Sequence, residues 1–365
     1  MFIDFSNHDK QDVDRRLTLT NIFYVVVFIL VGILCFILYN TGYSWLGKLI
    51  NTKYTGKKEI GVSLVCRTTL SLAFWFLIHS LIMIHNHNLV DSWQFRIHSS
   101  WLWLHLVIYL GMWAGFWFIP DDLFNFYMKA AIYISGVYLI IKIIFLLYLF
   151  HAINDMYAEK HYCLLLVATI IITCISITGF VLGYYIFGRG DCKENVIIIS
   201  INIGLAVILY IISLIFPKGS IFVSSLVFIY TCYLTLSGMI CQPSCNSISK
   251  HGPEITFSII ASIFTILVAG GSTFTTTTRF TKACSCSDKE QIFSLSFFHA
   301  VFALASVYLT MIVTDWGLTE EQVPWTVSRG DIAMWVNEAA AWTTHILYAW
   351  MLIAPMACPN RDFSG

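Results

Sequence analysis

Ten stretches of this chain are long and apolar enough to cross a lipid bilayer as helices, and that feature decides most of what the chain can fold into. They lie near residues 19–39, 61–84, 97–118, 124–150, 161–187, 195–216, 220–240, 255–275, 291–313 and 331–356. A spanning helix needs roughly 20 mostly apolar residues, because the hydrocarbon core is about 30 Å thick and each residue rises about 1.5 Å. Polar or turn-rich pieces such as 53–59, 85–96, 188–195, 241–254, 276–291 and 315–330 separate the stretches, and each is the size of a loop. Composition agrees, with 58% hydrophobic residues against 12% charged and a mean hydropathy of +0.75, which a water-facing surface does not allow. Lipid leaves unpaired backbone groups unsolvated, so only helices or closed barrels span it. Unbroken runs of this length exclude the alternation of a barrel strand. The sequence therefore predicts an all-α polytopic bundle with a short polar tail, 1–18, before it and another, 357–365, after it.

The leading tail carries Asp4, Asp9, Asp12, Asp14, Arg15 and Arg16, too acidic for a cleavable secretory signal, so the first run is expected to act as an uncleaved signal anchor. With the N-terminus in the cytosol, ten spans bring both termini there and place 276–291 on the same side. Lys48, Lys53, Lys57 and Lys58 run against the positive-inside tendency in this orientation. No Asn-x-Ser/Thr sequon occurs, so no N-glycan is expected. Most of the 11 cysteines fall within spans, where a thiol behaves as a small hydrophobe. Cys192, Cys241 and Cys245 fall in loops assigned to the outside, where some pairing among them is expected. Cys284 and Cys286 form a Cys-x-Cys pair without a nearby His, a weak metal signal for which lipidation is an equal account.

Ionisable groups inside spans are costly, roughly 2.5–3.5 kcal/mol at the centre on insertion scales, so each needs a partner or a wet cavity. Lys142 sits well inside the fourth run, beyond the reach of snorkelling, and either lines a polar path or nears the surface through helix tilt. In the last run Asp331, Trp335, Glu338, Trp342 and His345 follow a 4-3-4-3 spacing that puts all five on one helical face. That face either lines a groove for head groups or forms an interhelical hydrogen-bond seam. Arg67, close to a span end, is a candidate for contact with the head-group layer or a phosphate. His79, His105 and His299 read as hydrogen-bonded packing residues, and no metal is inferred from them. Gly111-x-x-x-Gly115 and Gly179-x-x-x-Gly183 read as close helix-packing devices.

Several ordered segments resemble the serine incorporator (TDE) family. They are Gly111 to Asp121 (GMWAGFWFIPD), Asp191 to Asn195 with Ser200-Ile201-Asn202, and Tyr230 to Gly238 (YTCYLTLSG) with Cys245-Asn246. Further on come Phe297-Phe298-His299, Ala305 to Tyr308, Thr314-Asp315-Trp316, Met334-Trp335-Val336, Leu347 to Pro355 and Arg361 to Ser364. After the fourth run the chain reads Leu149-Phe150-His151-Ala152-Ile153-Asn154-Asp155, without the leading acid usual in the family. The resemblance implies two bundles divided by a long tilted helix near 124–157. It also implies either ATP-independent scrambling of phospholipids between leaflets or an accessory role in incorporating serine into phosphatidylserine and sphingolipids. Asn202, Tyr230, Tyr233, Thr235 and Ser237 match family positions. Their polar groups either solvate a passing head group or bond neighbouring helices.

The chain lacks Gly-x-Ser-x-Gly, His-Glu-x-x-His and a phosphate-binding Gly loop with Lys, which argues against an enzyme. No cofactor is implied. Net charge is zero and no basic cluster interleaves aromatics, which argues against nucleic acid. The expected partners are phospholipids of the endomembrane system or plasma membrane, with lipid-synthesising enzymes added under the accessory reading. An ion-coupled solute carrier ranks third, because only Glu338 stands out as a mid-membrane carboxylate.

Overall fold

The structure, a computed structural model, describes residues 5–84, 93–158, 160–188, 192–216, 219–241, 263, 290–314, 316 and 329–357. Among these the chain is helical, as the apolar runs require. The helices are α1 (Phe5–Trp45), α2 (Lys57–Met83), α3 (Trp93–Ser99), α4 (Leu102–Gly115), a 3-10 turn at Phe116–Phe118, α5 (Asp121–Ala158), α6 (Tyr162–Phe187), α7 (Lys193–Ile215), α8 (Ile221–Cys241), α9 (Glu290–Val313) and α10 (Arg329–Ala357). Seven described helices, α1, α2 and α5 to α9, are long and apolar enough to cross a membrane. Apart from Ile263, the expected eighth span, 255–275, lies outside the described residues, as does the 276–289 loop. The polar stripe of α10 keeps it out of the seven despite its 29 residues.

Helix lengths follow the sequence's breakers. From Asp121 to Ala158 there is no proline, and Asp121 and Asp122 sit in the first turn, where negative charge favours the exposed N–H groups. The resulting 38 residues make about 57 Å of helix at about 1.5 Å per residue, well beyond one hydrocarbon thickness. In contrast, the run 97–118 is not one continuous helix. It breaks between α3 and α4, where Trp101 adopts the left-handed conformation at φ 59° and ψ 39°. That single backbone choice redirects the chain, and hydropathy does not register it.

The chain divides into two compact units. Unit 1 comprises 1–138 and 262–322, and unit 2 comprises 139–261 and 323–365, so α5 changes unit after Tyr138. Within unit 1, α2 packs on α1 and α9. Hydroxyls stitch these helices where apolar contact alone lacks direction. Ser80 and Ser296 each donate to the other's carbonyl at 2.9 Å. Thr310 donates to Thr69 at 2.6 Å and pairs with Tyr127 of α5 at 2.8 Å.

Within unit 2, α8 packs on α6, α7 and α10 around Phe180, Ile199, Phe228, Cys232, Met239 and Met334. Glycines permit the closest approaches. A Cβ on Gly179 would lie 2.7 Å from Cys232 Sγ, and one on Gly183 would lie 2.8 Å from Leu236. Gly111 and Gly115, of identical spacing, meet no neighbouring atom within 4 Å. The small-residue motif therefore brings helices together on α6 and makes no such contact on α4 among the described residues.

Candidate functional site

Arg67 departs from its expected place. Its side chain is fully buried rather than extended toward a head-group layer. One guanidinium nitrogen lies 3.0 Å from the carboxylate of Asp121 and also donates to the Ser63 hydroxyl. The other nitrogen donates to the main-chain carbonyls of Asn51 at 2.6 Å and Ile119 at 2.8 Å. Phe124 covers the cation, with the guanidinium carbon 4.3 Å from its ring centre. Asp121 in turn accepts from Ser63 at 2.9 Å and from the Lys53 backbone at 2.7 Å. The charge is thus matched by a carboxylate, carbonyls and a ring, and the node ties α2, the loop before it and the start of α5 together. Arg67 is a clamp for chain segments.

The polar groups of unit 2 are held differently. Asn202 of α7, Thr235 of α8 and Glu338 of α10 are all fully buried. The Asn202 amide donates to Glu338 Oε2 at 2.9 Å and to Thr235 Oγ1 at 2.9 Å, so three helices meet at one amide. Beside it, a Cβ on Gly238 of α8 would lie 3.2 Å from the Met334 carbonyl of α10, so this glycine sets the α8–α10 approach. Among the described residues Glu338 Oε1, Asn202 Oδ1 and both ring nitrogens of buried His345 have no hydrogen-bond partner. Among the described residues the carboxylate is held by neutral donors.

The seam continues along α10. Tyr348, three residues beyond His345, pairs with the Ser224 hydroxyl at 2.8 Å, and Ser220 donates to Asn154 of α5 at 2.6 Å. The 4-3-4-3 stripe thus runs into α8 over its later part. Its earlier part turns outward, since Trp335 is 49% exposed, and the Asp331 side chain lies outside the described residues. Lys142 is buried within the same unit, and Ser237 is buried next to Gly238. Tyr233 is half-buried, with its ring stacked 6.4 Å from that of Tyr230. Glu338, Asn202, Thr235 and His345 are buried in this conformation, as is Lys142. Cys192 is disulfide-bonded, while the Cys241 side chain and Cys245 lie outside the described residues.

Sequence reasoning missed Asp121 as the partner of Arg67 and Tyr348 as the continuation of the stripe. The second was accessible, because Tyr348 follows His345 at helical spacing. The first was not, since the partners stand 54 residues apart.

The comparisons with known proteins agree with this architecture. The family model described as "Serine incorporator (Serinc)" matches residues 14–291 and 278–361. A probable serine incorporator of Dictyostelium discoideum is 26% identical, covering 85% of this chain and 84% of its own length. Serine incorporator 5 of Mus musculus is 24% identical, covering 84% and 81%. Serine incorporator 2 of Bos taurus is 25% identical, covering 95% and 92%. With the family model spanning nearly the whole chain over an all-helical, membrane-crossing architecture, this protein belongs to the serine incorporator family.

Proposed function

We propose that the protein moves phospholipids between leaflets without ATP, and that head groups pass along the seam of unit 2 when α7, α8 and α10 part. The observation that carries this reading is the Asn202–Glu338 pair. It is a carboxylate buried among helices and, among the described residues, satisfied on one oxygen. Such a group is expensive in lipid and is characteristically kept for a polar path. Parting the helices would expose Glu338, Asn202, Thr235 and His345 together, and a head group would replace the interhelical bonds with its own. Each bond lost is worth only about 1 kcal/mol in lipid, so the closed state is not locked. A passive path lowers the barrier in both directions, so it equalises leaflet composition and cannot build asymmetry.

The test is reconstitution of the purified protein in liposomes carrying a fluorescent phospholipid, with a membrane-impermeant quencher and no nucleotide. The reading expects label in both leaflets to become accessible. If label in the inner leaflet stays protected as in empty liposomes, scrambling is refuted. The names of the relatives favour a second reading, an accessory role in serine-derived lipid synthesis, and it would then stand first. That role predicts a lipid-synthesising enzyme co-purifying with the chain.

A further inference from the structure

Five helices of unit 1 each contribute a polar ring to one buried nest centred on Tyr24 of α1. Its ring centre lies 4.8 Å from that of His299 on α9, 5.2 Å from His98 on α3, 5.7 Å from His79 on α2 and 6.3 Å from His105 on α4. The imidazoles also crowd one another, at 5.1 Å for His79 and His105, 5.2 Å for His79 and His299, and 5.1 Å for His98 and His299. All four are buried, and Trp75, Phe76 and Phe298 complete the walls. Four histidines in one apolar nest need an explanation that packing does not supply, since phenyl rings fill such space without a desolvation cost.

The hydrogen bonds define what the nest can accept. His98 Nδ1 and His299 Nε2 stand 3.1 Å apart, so one must donate and the other accept. An added proton goes to the bare outer nitrogen of the donor ring and keeps the bond, whereas protonating both rings sets two N–H groups against each other and abolishes it. The remaining nitrogens, His98 Nε2 and His299 Nδ1, are buried without a partner among the described residues, so no acceptor waits for the added N–H. His105 Nδ1 is paired with the Tyr24 hydroxyl at 2.9 Å, and His79 Nδ1 with the Trp75 carbonyl at 2.8 Å. The phenol ring occupies the centre, and among the described residues no three His, Cys, Asp or Glu side chains are placed to hold a metal ion. That leaves the proton as the ligand.

The titratable groups facing the nest are Tyr24 from α1, His79 from α2, His98 from α3, His105 and Tyr109 from α4, and His299 from α9. Arg96 of α3 is exposed. The ion pairs formed among the described residues, Arg67–Asp121 and Lys53–Asp122, bring no carboxylate to the nest. We propose that this nest is a proton-binding site whose occupation loosens α3 from α1 and α9. An added charge there meets further imidazoles and apolar rings, and the cheapest relief is to release the element with the least hold. That element is α3, a helix of seven residues whose buried anchors among the described side chains are Gln94 and His98, while Trp93, Arg96 and Ile97 are exposed. Burial and the facing imidazoles hold packed His98 below the ordinary histidine range, and once released it titrates between about pH 5 and 8, so acidity across that window favours release.

The experiment is backbone hydrogen exchange on the purified full-length protein at about pH 7.5 and about pH 5, corrected for the intrinsic pH dependence of exchange. Expected is a fall of at least tenfold in protection over residues 93–105 at the lower pH, with α6 and α7 unchanged. The double variant His98→Gln/His299→Gln should flatten that response, and His161→Gln, an exposed histidine of unit 2, should leave it at the parental size. Should the double variant fail to fold, each single variant carries the same expectation. Equal protection of the parent at both pH values overturns the proposal, and so does a parental response retained when His98 or His299 is replaced.

Discussion

The two units bury charge in opposite ways. In unit 1, Arg67 meets a carboxylate, two carbonyls and an aromatic face, all within a connection between consecutive chain segments. In unit 2, Glu338 meets a neutral amide and leaves one oxygen without a partner among the described residues. A charge matched on several sides fixes one conformation. A carboxylate held by neutral groups costs energy in the closed state and is free to take a different partner. Under the proposed function, the first site belongs to architecture and the second to the lipid path.

The largest effect is expected from breaking the matched site. Arg67→Leu leaves Asp121 buried without its cation and should cost about 3–5 kcal/mol, read as loss of monodisperse protein after detergent extraction. Arg67→Leu/Asp121→Leu should recover most of that loss, because removing both charges removes the unpaired one. A smaller effect separates two identical motifs. Gly183→Leu on α6 drives a side chain into Leu236 and should destabilise by about 1–3 kcal/mol. Gly111→Ala on α4 meets nothing within 4 Å and should be neutral or slightly stabilising in a thermal melt, since alanine suits a helix interior better by about 0.5–1 kcal/mol.

Smaller still is the stability change expected at the seam. Glu338→Leu removes one interhelical bond together with a poorly satisfied carboxylate, so its melting should stay within about 1 kcal/mol of the parent. A loss as large as that of Arg67→Leu would mean the seam is architecture as well. The smallest shift is expected for Trp101→Gly, which relieves a left-handed backbone but removes a mostly exposed ring, for a net gain of about 1 kcal/mol or less.

Much of this was legible in the sequence. Unbroken apolar runs fixed the helical class, and the polar spacing on the last run singled out Glu338 and His345, because both patterns repeat within one element. What was illegible is non-local. Gly111-x-x-x-Gly115 and Gly179-x-x-x-Gly183 read alike, yet among the described residues the α6 pair has a helix against it and the α4 pair meets nothing within 4 Å. Arg67 looked like a residue near a span end because its partner lies beyond two further helices and a 3-10 turn. The break at Trp101 is a backbone dihedral within a hydrophobic stretch, which no count of apolar residues records. Similarly, His98 lies at the very start of the run 97–118, where a polar side chain at a span end gave no reason to single it out.

The most direct test of the central claim is the rate of phospholipid translocation in liposomes for the parent, Glu338→Leu, Lys142→Leu and the charge-free Arg67→Leu/Asp121→Leu. The account predicts that the parent and the unit 1 double variant translocate at comparable rates, while both unit 2 variants, folded by their melting curves, are slower by tenfold or more. Equal rates for the parent and the folded Glu338→Leu and Lys142→Leu variants would contradict it and place the lipid path outside the seam.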